Sequence, residues 1–388
     1  MAAERHPMFD DLDVRALSRR PGAKWSRVEP DVLPAWIAEM DFPPAPAVRE
    51  ALARCVDDDL GYPSWDGRSV HNPLRAAFAE RMRERHGWVL DPVHVREFTD
   101  INQGLQAVLN VATRPGDGVV VHTPTYPPFL ETIASMGRRL HPLPYAPDGE
   151  SWTFDADRLD RELRERPARV LLVVNPHNPT GRVLRREELE TLAHLALRHG
   201  LLVVADEIHS DLVHAPHRHL PFAALSAEVA ARTVTLTSAT KAFNVPGLRC
   251  AVAHVGAAGV REALTHPTHL YGEPNTFGVA ATLAAWRDGD AWLAELLPVL
   301  ARNARSVRED LPPGVHCRVP EATFLAWLDC RGLELDTDPQ TFFLKKARVL
   351  LNDGRAFGAE GEGFVRLNFG TSRSILREIL HRLRNALA

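Results

Sequence analysis

Lysine is scarce in this chain, at positions 24, 241, 345 and 346 only, and 42 of the 46 basic residues are arginine. That choice has chemical content. Arginine keeps its proton at any usable pH, whereas a desolvated lysine loses it and becomes a nucleophile. Lys241 stands in TSATKAFNVPGLRC, Thr237 to Cys250, directly after the apolar run TVTLTS. On composition alone a single lysine reads as a solvated side chain. Its neighbours decide the matter.

Other apolar runs also end in polar residues. VVNPHNPTG leaves its run with Asn175 and Asn178, VVADEIHSD with Asp206, Glu207 and His209, and TLTSATK with Ser238, Thr240 and Lys241. HTPTYPPF contributes Tyr126. In DINQGLQAVLNVA, Gly104 reads as a helix start, where free N–H groups and the macrodipole favour a phosphate. Ligands bind beyond the carboxyl ends of strands in an open parallel sheet, so these residues are expected to meet. An amine, a buried acid, an amide, an aromatic plate and an anion cradle make the set that holds pyridoxal phosphate. Its aldehyde needs a lysine, and its ring nitrogen needs a carboxylate to stay protonated and draw electrons.

The elements that must position these residues follow from periodicity. GDGVVVHTP, ARVLLVVNP, LLVVADE, TVTLTS and RCAVAHVG read as strands, the second as a fully buried one. Between two of them, LRREELETLAHLALRHG puts Leu189, Leu192, Ala193 and Ala196 on one helix face, with Gly200 as its cap. Strand, helix, strand with near-continuous apolar strands predicts a mostly parallel sheet covered on both faces. After about residue 290 the pattern becomes helix, strand, helix, strand, helix. The last helix carries Ile375, Ile379 and Leu383 in line behind Thr371 and Ser372.

The predicted fold is α/β: a three-layer α/β/α large domain with a mostly parallel sheet, plus a smaller α+β domain from both chain ends. The expected boundaries are an arm over 1–47 joining the small domain, a cofactor-binding domain over 48–288 and a C-terminal domain over 289–388. A length of 388 residues suits two domains, and 45% hydrophobic with 25% charged residues is ordinary globular composition. A net charge of −4 without a basic stripe argues against nucleic acid. The four cysteines show no metal-ligand spacing and read as buried reduced thiols. No apolar leader and no membrane-length run is apparent, so a cytoplasmic protein without a metal is expected.

NPHNPTG, DEIH and SATKAFNVPGLRC, in this order and spacing, resemble the fold-type I pyridoxal-phosphate enzymes, aminotransferase class I/II. The nearest branch is the MalY/PatB-type cystathionine β-lyases, and the similarity runs from WIAEMDF to VRLNFGTSR. It implies that Lys241 binds the cofactor covalently and later moves the Cα proton. Asp206 would pair with the ring nitrogen, Asn178 with the phenolic oxygen, and Tyr126 would stack on the ring. Ser238, Arg249 and the backbone of Gly104, Leu105 and Gln106 would hold the phosphate. Arg366 would clamp the carboxylate of an amino-acid substrate, with the backbone near Ala38 closing over it. Tyr62 would reach the phosphate of a neighbouring subunit, implying a homodimer with shared sites.

Blander readings stand beside these. Taken alone, Asp206 is equally an N-cap and Tyr126 a turn residue. His209 replaces the tyrosine of many aminotransferases, and a structural bond competes with a catalytic role. Arg373 either joins the clamp or starts the last helix; Glu39 and Asp41 read as solvating a loop, and Lys345 and Lys346 as solvated. The β-lyase branch implies elimination from an L-cysteine S-conjugate, in methionine synthesis or specialised metabolism. Transamination is the alternative, as is a member doubling as a regulatory binding protein. One departure bears on the substrate: NQGLQAVL replaces a Gly-Val-Val type run, and Gln103 and Gln106 imply a larger or more polar partner.

Overall fold

The computed structural model describes residues 6–58, 60–61, 72–265 and 272–388. The apolar runs become strands with period-two burial. Along Val170–Val174, residues 170, 172 and 174 enter one hydrophobic core and 171 and 173 another. Val119 and Val121 face the first core and Val120 the second. A strand buried on both faces needs helices on both, so a three-layer arrangement follows. Each such buried Val or Leu is worth about 1.5–3 kcal/mol relative to exposure.

In chain order the strands are β1 (Leu33–Pro34), β2 (Val95–Phe98), β3 (Gly118–Thr123), β4 (Arg139–Pro144) and β5 (Val170–Val174). They continue with β6 (Leu202–Asp206), β7 (Thr233–Thr237) and β8 (Ala251–Val255). The main sheet has seven strands in the order β2-β8-β7-β6-β5-β3-β4. Its pairings are parallel except those of β8, which runs antiparallel to both β7 and β2. The reason is local. No long helix lies between β7 and β8, and a parallel return needs a crossover of a dozen or more residues, usually helical. The loop 238–250 therefore turns back at the same edge, carrying Lys241 and Arg249 together.

Helix α1 (Ile101–Ala112) and helix α2 (Pro127–Ser135) cover one face, and α3 (Arg186–His199) the other. Leu189, Leu192, Ala193 and Ala196 are buried, and Gly200 caps α3 at φ +66°. Towards the carboxyl end of the chain, β9 (His316–Cys317), β10 (Leu325–Asp329), β12 (Asn352–Asp353) and β13 (Phe364–Asn368) form an antiparallel sheet in the order β9-β10-β13-β12. Between them β11 (Val349–Leu350) pairs in parallel with β1, Leu33 opposite Val349. The N-terminal arm thus joins the C-terminal elements through backbone bonds. Helix α4 (Asp290–Glu309) and helix α5 (Arg373–Asn385) pack with them, and Ser372 caps α5 by accepting from the Ile375 amide. Among the described residues, no helix is long and apolar enough to cross a membrane.

Candidate active site

The strand ends converge on one cavity of about 570 Å³. β5 delivers Asn178, β6 delivers Asp206 and His209, β7 delivers Ser238, Thr240 and Lys241, and β3 leads to Tyr126. β8 starts at this edge, which brings Arg249 and Cys250, and β13 adds Arg366. Of the sequence-derived set, Lys241, Asp206, Asn178, Tyr126, His209, Ser238, Arg249, Arg366 and Ala38 line the cavity. Tyr62 lies outside the described residues.

The Lys241 ammonium is held where a charge is costly. Its Nζ donates to the Ala38 carbonyl at 2.7 Å. Desolvation, reinforced by the Arg366 charge, lowers its pKa to about 8. Asp206 is 4% exposed, and burial with the neighbouring Glu207 raises its pKa to about 7. The Ile208 amide donates to its carboxylate at 3.1 Å and opposes that rise. Of the two acids in DEIH, only Asp206 faces the cavity. Glu207 turns away, accepting from the Phe222 amide at 2.8 Å and meeting His219 at 3.1 Å.

Arg366 is 3% exposed and fully engaged on one side. Its Nη1 donates to Asn178 Oδ1 at 2.9 Å, and Nη2 to the Trp36 carbonyl at 2.9 Å and Asn352 Oδ1 at 3.2 Å. The guanidinium stacks 4.9 Å from the Phe357 ring centre. Burial lowers its pKa to about 10, so it stays charged at neutral pH. Its Nε and the Nδ1 of His209 meet no hydrogen-bond partner among the described residues. Buried polar atoms are rarely left so, and both belong to residues that line the cavity. His209 is held neutral, its pKa lowered to about 3 by burial and the nearby Lys241 and Arg366 charges.

The open start of helix α1 lies about one turn earlier than the sequence suggests. Asp100 caps α1 by accepting from the Gln103 amide at 2.8 Å, and its carbonyl accepts the Gly104 amide at 3.1 Å. The open end of the helix is therefore Ile101 and Asn102, both at the cavity. Gly104 closes the first turn, and Leu105 and Gln106 lie in the second. A Cβ at Gly104 would come within 2.7 Å of Leu236, so that glycine serves helix-on-sheet packing. Leu105 is fully buried in the core, and Gln106 Nε2 reaches Thr132 at 3.4 Å. The D-x-x-Q spacing of Asp100 and Gln103 is the available signal for the true start. Gln103 Oε1 accepts from the Thr99 amide at 2.8 Å, so neither glutamine supplies a polar group to the cavity.

Opposite this helix end, Arg249 (φ +51°) forms an ion pair with Asp100. Ser238 Oγ donates to the Cys250 carbonyl at 2.6 Å, so across the 2.7 Å contact the Thr240 hydroxyl donates to Ser238. Asn352, Trp36 and Asn102 are cavity residues outside the sequence-derived set. Asn352 sits in register opposite Arg366 across β12 and β13, a pairing no local pattern marks. Lys345 and Lys346 are exposed, and Arg373 is the first residue of α5. Asp41 does not solvate a loop: it is 1% exposed, 2.9 Å from buried Lys24, and accepts from Trp25 Nε1 at 2.7 Å.

An amine, an acid, an amide, an aromatic ring and an anion site therefore share one enclosure. The donor set fits pyridoxal phosphate: amine for aldehyde, carboxylate for ring nitrogen, helix end with Arg249 for phosphate. A model of the aminotransferase class I and II family matches residues 37–383. The chain belongs to this family. Cystathionine beta-lyase PatB of Bacillus subtilis is 35% identical, covering 92% of this chain and 93% of that protein. Cystathionine beta-lyase of Corynebacterium glutamicum is 31% identical over 97% and 99%. Cystalysin from Treponema denticola, whose crystal structure contains pyridoxal 5′-phosphate, superposes with a TM-score of 0.91 at 27% identity over 99% of each chain. The aminotransferase class I and II fold thus spans nearly the whole chain.

Proposed function

We propose that this chain is a pyridoxal-phosphate-dependent carbon–sulfur β-lyase that cleaves an L-cysteine S-conjugate, such as cystathionine, to a thiol, pyruvate and ammonia. The observation that carries it is that Lys241, Asp206 and Arg366 open onto one cavity in a chain collinear with cystathionine β-lyases. Bound pyridoxal phosphate supplies an electrophilic aldehyde and an electron-withdrawing ring. Asp206 would keep the proton on the ring nitrogen, Asn178 would meet the phenolic oxygen and the Tyr126 ring would pack on the flat face. Ile101, Asn102 and Arg249 would hold the phosphate, with the Ser238 and Thr240 hydroxyls rotating onto it from their present bonds. Arg366 takes the substrate α-carboxylate, with the arm backbone at Ala38 alongside. The neutral Nζ of Lys241 then removes the proton from the substrate's Cα, the Cβ–S bond breaks, and the sulfur leaves as a thiol once protonated. The remaining three-carbon fragment hydrolyses to pyruvate and ammonia.

Purified protein supplied with the cofactor should release pyruvate and thiol in equal amounts from L-cystathionine or another S-substituted cysteine. Release from none of a panel of such conjugates overturns the reading. Growth of absorbance near about 330 nm on adding an amino acid, cleared by a keto acid, would assign transamination instead.

Cofactor uptake should follow the two shifted groups. A lysine with a pKa near 8 is neutral above that pH, and Asp206 is ionised above about 7. The uptake rate is expected to level off above about pH 8.5, to fall about tenfold per unit below 8, and to fall more steeply below 7. A midpoint near 10, as for a solvent-exposed lysine, would remove the desolvated amine from the account. Two copies share sites through Tyr62 in this reading, so sedimentation should give a dimer. The compartment is the reducing cytoplasm, in keeping with cysteines that are all unpaired.

A further inference from the structure

Asn244 stands three residues after Lys241 in a left-handed conformation, φ +55°. Its side chain makes three hydrogen bonds to a segment some 200 residues away. Oδ1 accepts from the Met40 amide at 2.9 Å, and Nδ2 donates to the carbonyls of Met40 at 2.9 Å and Phe42 at 2.7 Å. The amide is therefore used on both ends. Asn368, two residues after Arg366, holds the same segment from the other side. Its Nδ2 donates to the carbonyls of Ile37 at 2.6 Å and Glu39 at 2.7 Å.

Between these two clamps the carbonyls of Trp36 and Ala38 meet the two cations of the site. Trp36 accepts from Arg366 at 2.9 Å and Ala38 from Lys241 at 2.7 Å. The segment bends at Ile37 and Ala38, where the Glu39 amide donates to the Ile37 carbonyl at 2.9 Å, and the bend turns both carbonyls of this strip onto the two groups. Nothing in the chemistry of Asn244 touches the cavity, which its side chain does not line. Its three bonds are instead a tether between the lysine loop and the strip.

We infer that Asn244 is a positioning residue: it sets the height of the Trp36–Phe42 strip over Lys241, and with it the fit of the substrate carboxylate between strip and Arg366. The substrate clause rests on the lyase reading, whereas the tether does not. A misplacement of about 1 Å at a positioning contact can cost up to about a hundredfold in catalytic efficiency, here expected chiefly through substrate fit.

The test uses the cofactor-loaded protein and two variants. N244G removes all three bonds while accepting the positive φ. N244D, close in shape, turns an oxygen towards the carbonyls of Met40 and Phe42 and repels them. In both, amide exchange over 37–42 should accelerate about tenfold or more, with Met40 among the amides affected, while exchange across the main sheet is unchanged. KM for cystathionine should rise about tenfold with kcat within about threefold, and the cofactor absorbance should be unaltered. If N244G fails to fold, N244D alone carries the comparison. Wild-type exchange over 37–42 in a folded variant overturns the tether whatever the substrate is. Faster exchange with an unchanged KM leaves the tether and overturns its role in substrate fit, a result independent of whether wild-type protein is a lyase.

Discussion

Lys241→Ala is expected to lose at least about 10⁵-fold in kcat, because one amine acts both as the cofactor's anchor and as the base at the substrate's Cα. The variant should also fail to give a borohydride-stable adduct at position 241. The same residue carries a cost that a second substitution exposes. Its pKa in the folded protein, about 8, lies below the ordinary value of 10.5. Between those limits the unfolded chain holds a proton that the folded chain has shed, so stability rises with pH there. Below pH 8 the full penalty of a desolvated cation remains. Lys241→Met keeps the volume and removes the charge, so the cofactor-free variant should unfold at higher denaturant concentration than wild type at pH 7. The gain should fade towards pH 10.5. An inactive yet more stable protein is the signature of a strained functional group. A variant that is inactive and less stable at pH 7 would instead mark Lys241 as a structural tie to Ala38.

Much of this site is legible in the chain because its residues leave strands whose type is unambiguous. Val170–Val174 and Leu202–Asp206 are apolar runs of strand length, and in a parallel sheet the residues just past the end of such a run lie at the ligand edge. Lys241, Asp206 and Asn178 are found that way, whereas Arg249 precedes its strand and is marked only by the family motif. The antiparallel turn of Ala251–Val255 is harder, since strand direction depends on the connection and not on the strand's own residues. The helix start read at Gly104 is misplaced for a different reason. Gly104 has the local look of a helix-start glycine, but its missing Cβ makes room for Leu236, a contact with a residue over a hundred positions away. Asn352, Asn244 and the Lys24–Asp41 pair leave no local mark because their partners are held against them only by the fold. Asp41 looks like a loop carboxylate until Lys24 and Trp25 are folded against it. Local pattern marks an N-cap such as Asp100; it cannot mark a cross-strand neighbour such as Asn352 and Arg366.

Arg366→Lys tests the other pole of the site and is expected to lower kcat/KM about 10²–10³-fold, chiefly through KM. The guanidinium reaches Asn178, Asn352 and the Trp36 carbonyl, stacks on Phe357, and has a buried Nε that meets no partner among the described residues. An ammonium is a point charge with no fork, so it cannot serve those three acceptors and a carboxylate together. Losing a buried charged partner typically costs about 2–5 kcal/mol, which spans the expected fold-change. A second consequence separates a charge effect from mere loss of shape. Arg366 helps to depress the Lys241 pKa, so removing its charge must let that pKa rise. In Arg366→Met the pH limb for cofactor uptake should therefore move upward, whereas in Arg366→Lys it should stay near 8. Equal limbs in the two variants, with KM unchanged, would show that the substrate carboxylate is held elsewhere and that desolvation alone tunes the lysine. A limb that follows the charge would tie the two poles together: the group that receives the substrate also keeps the empty site's amine ready to react.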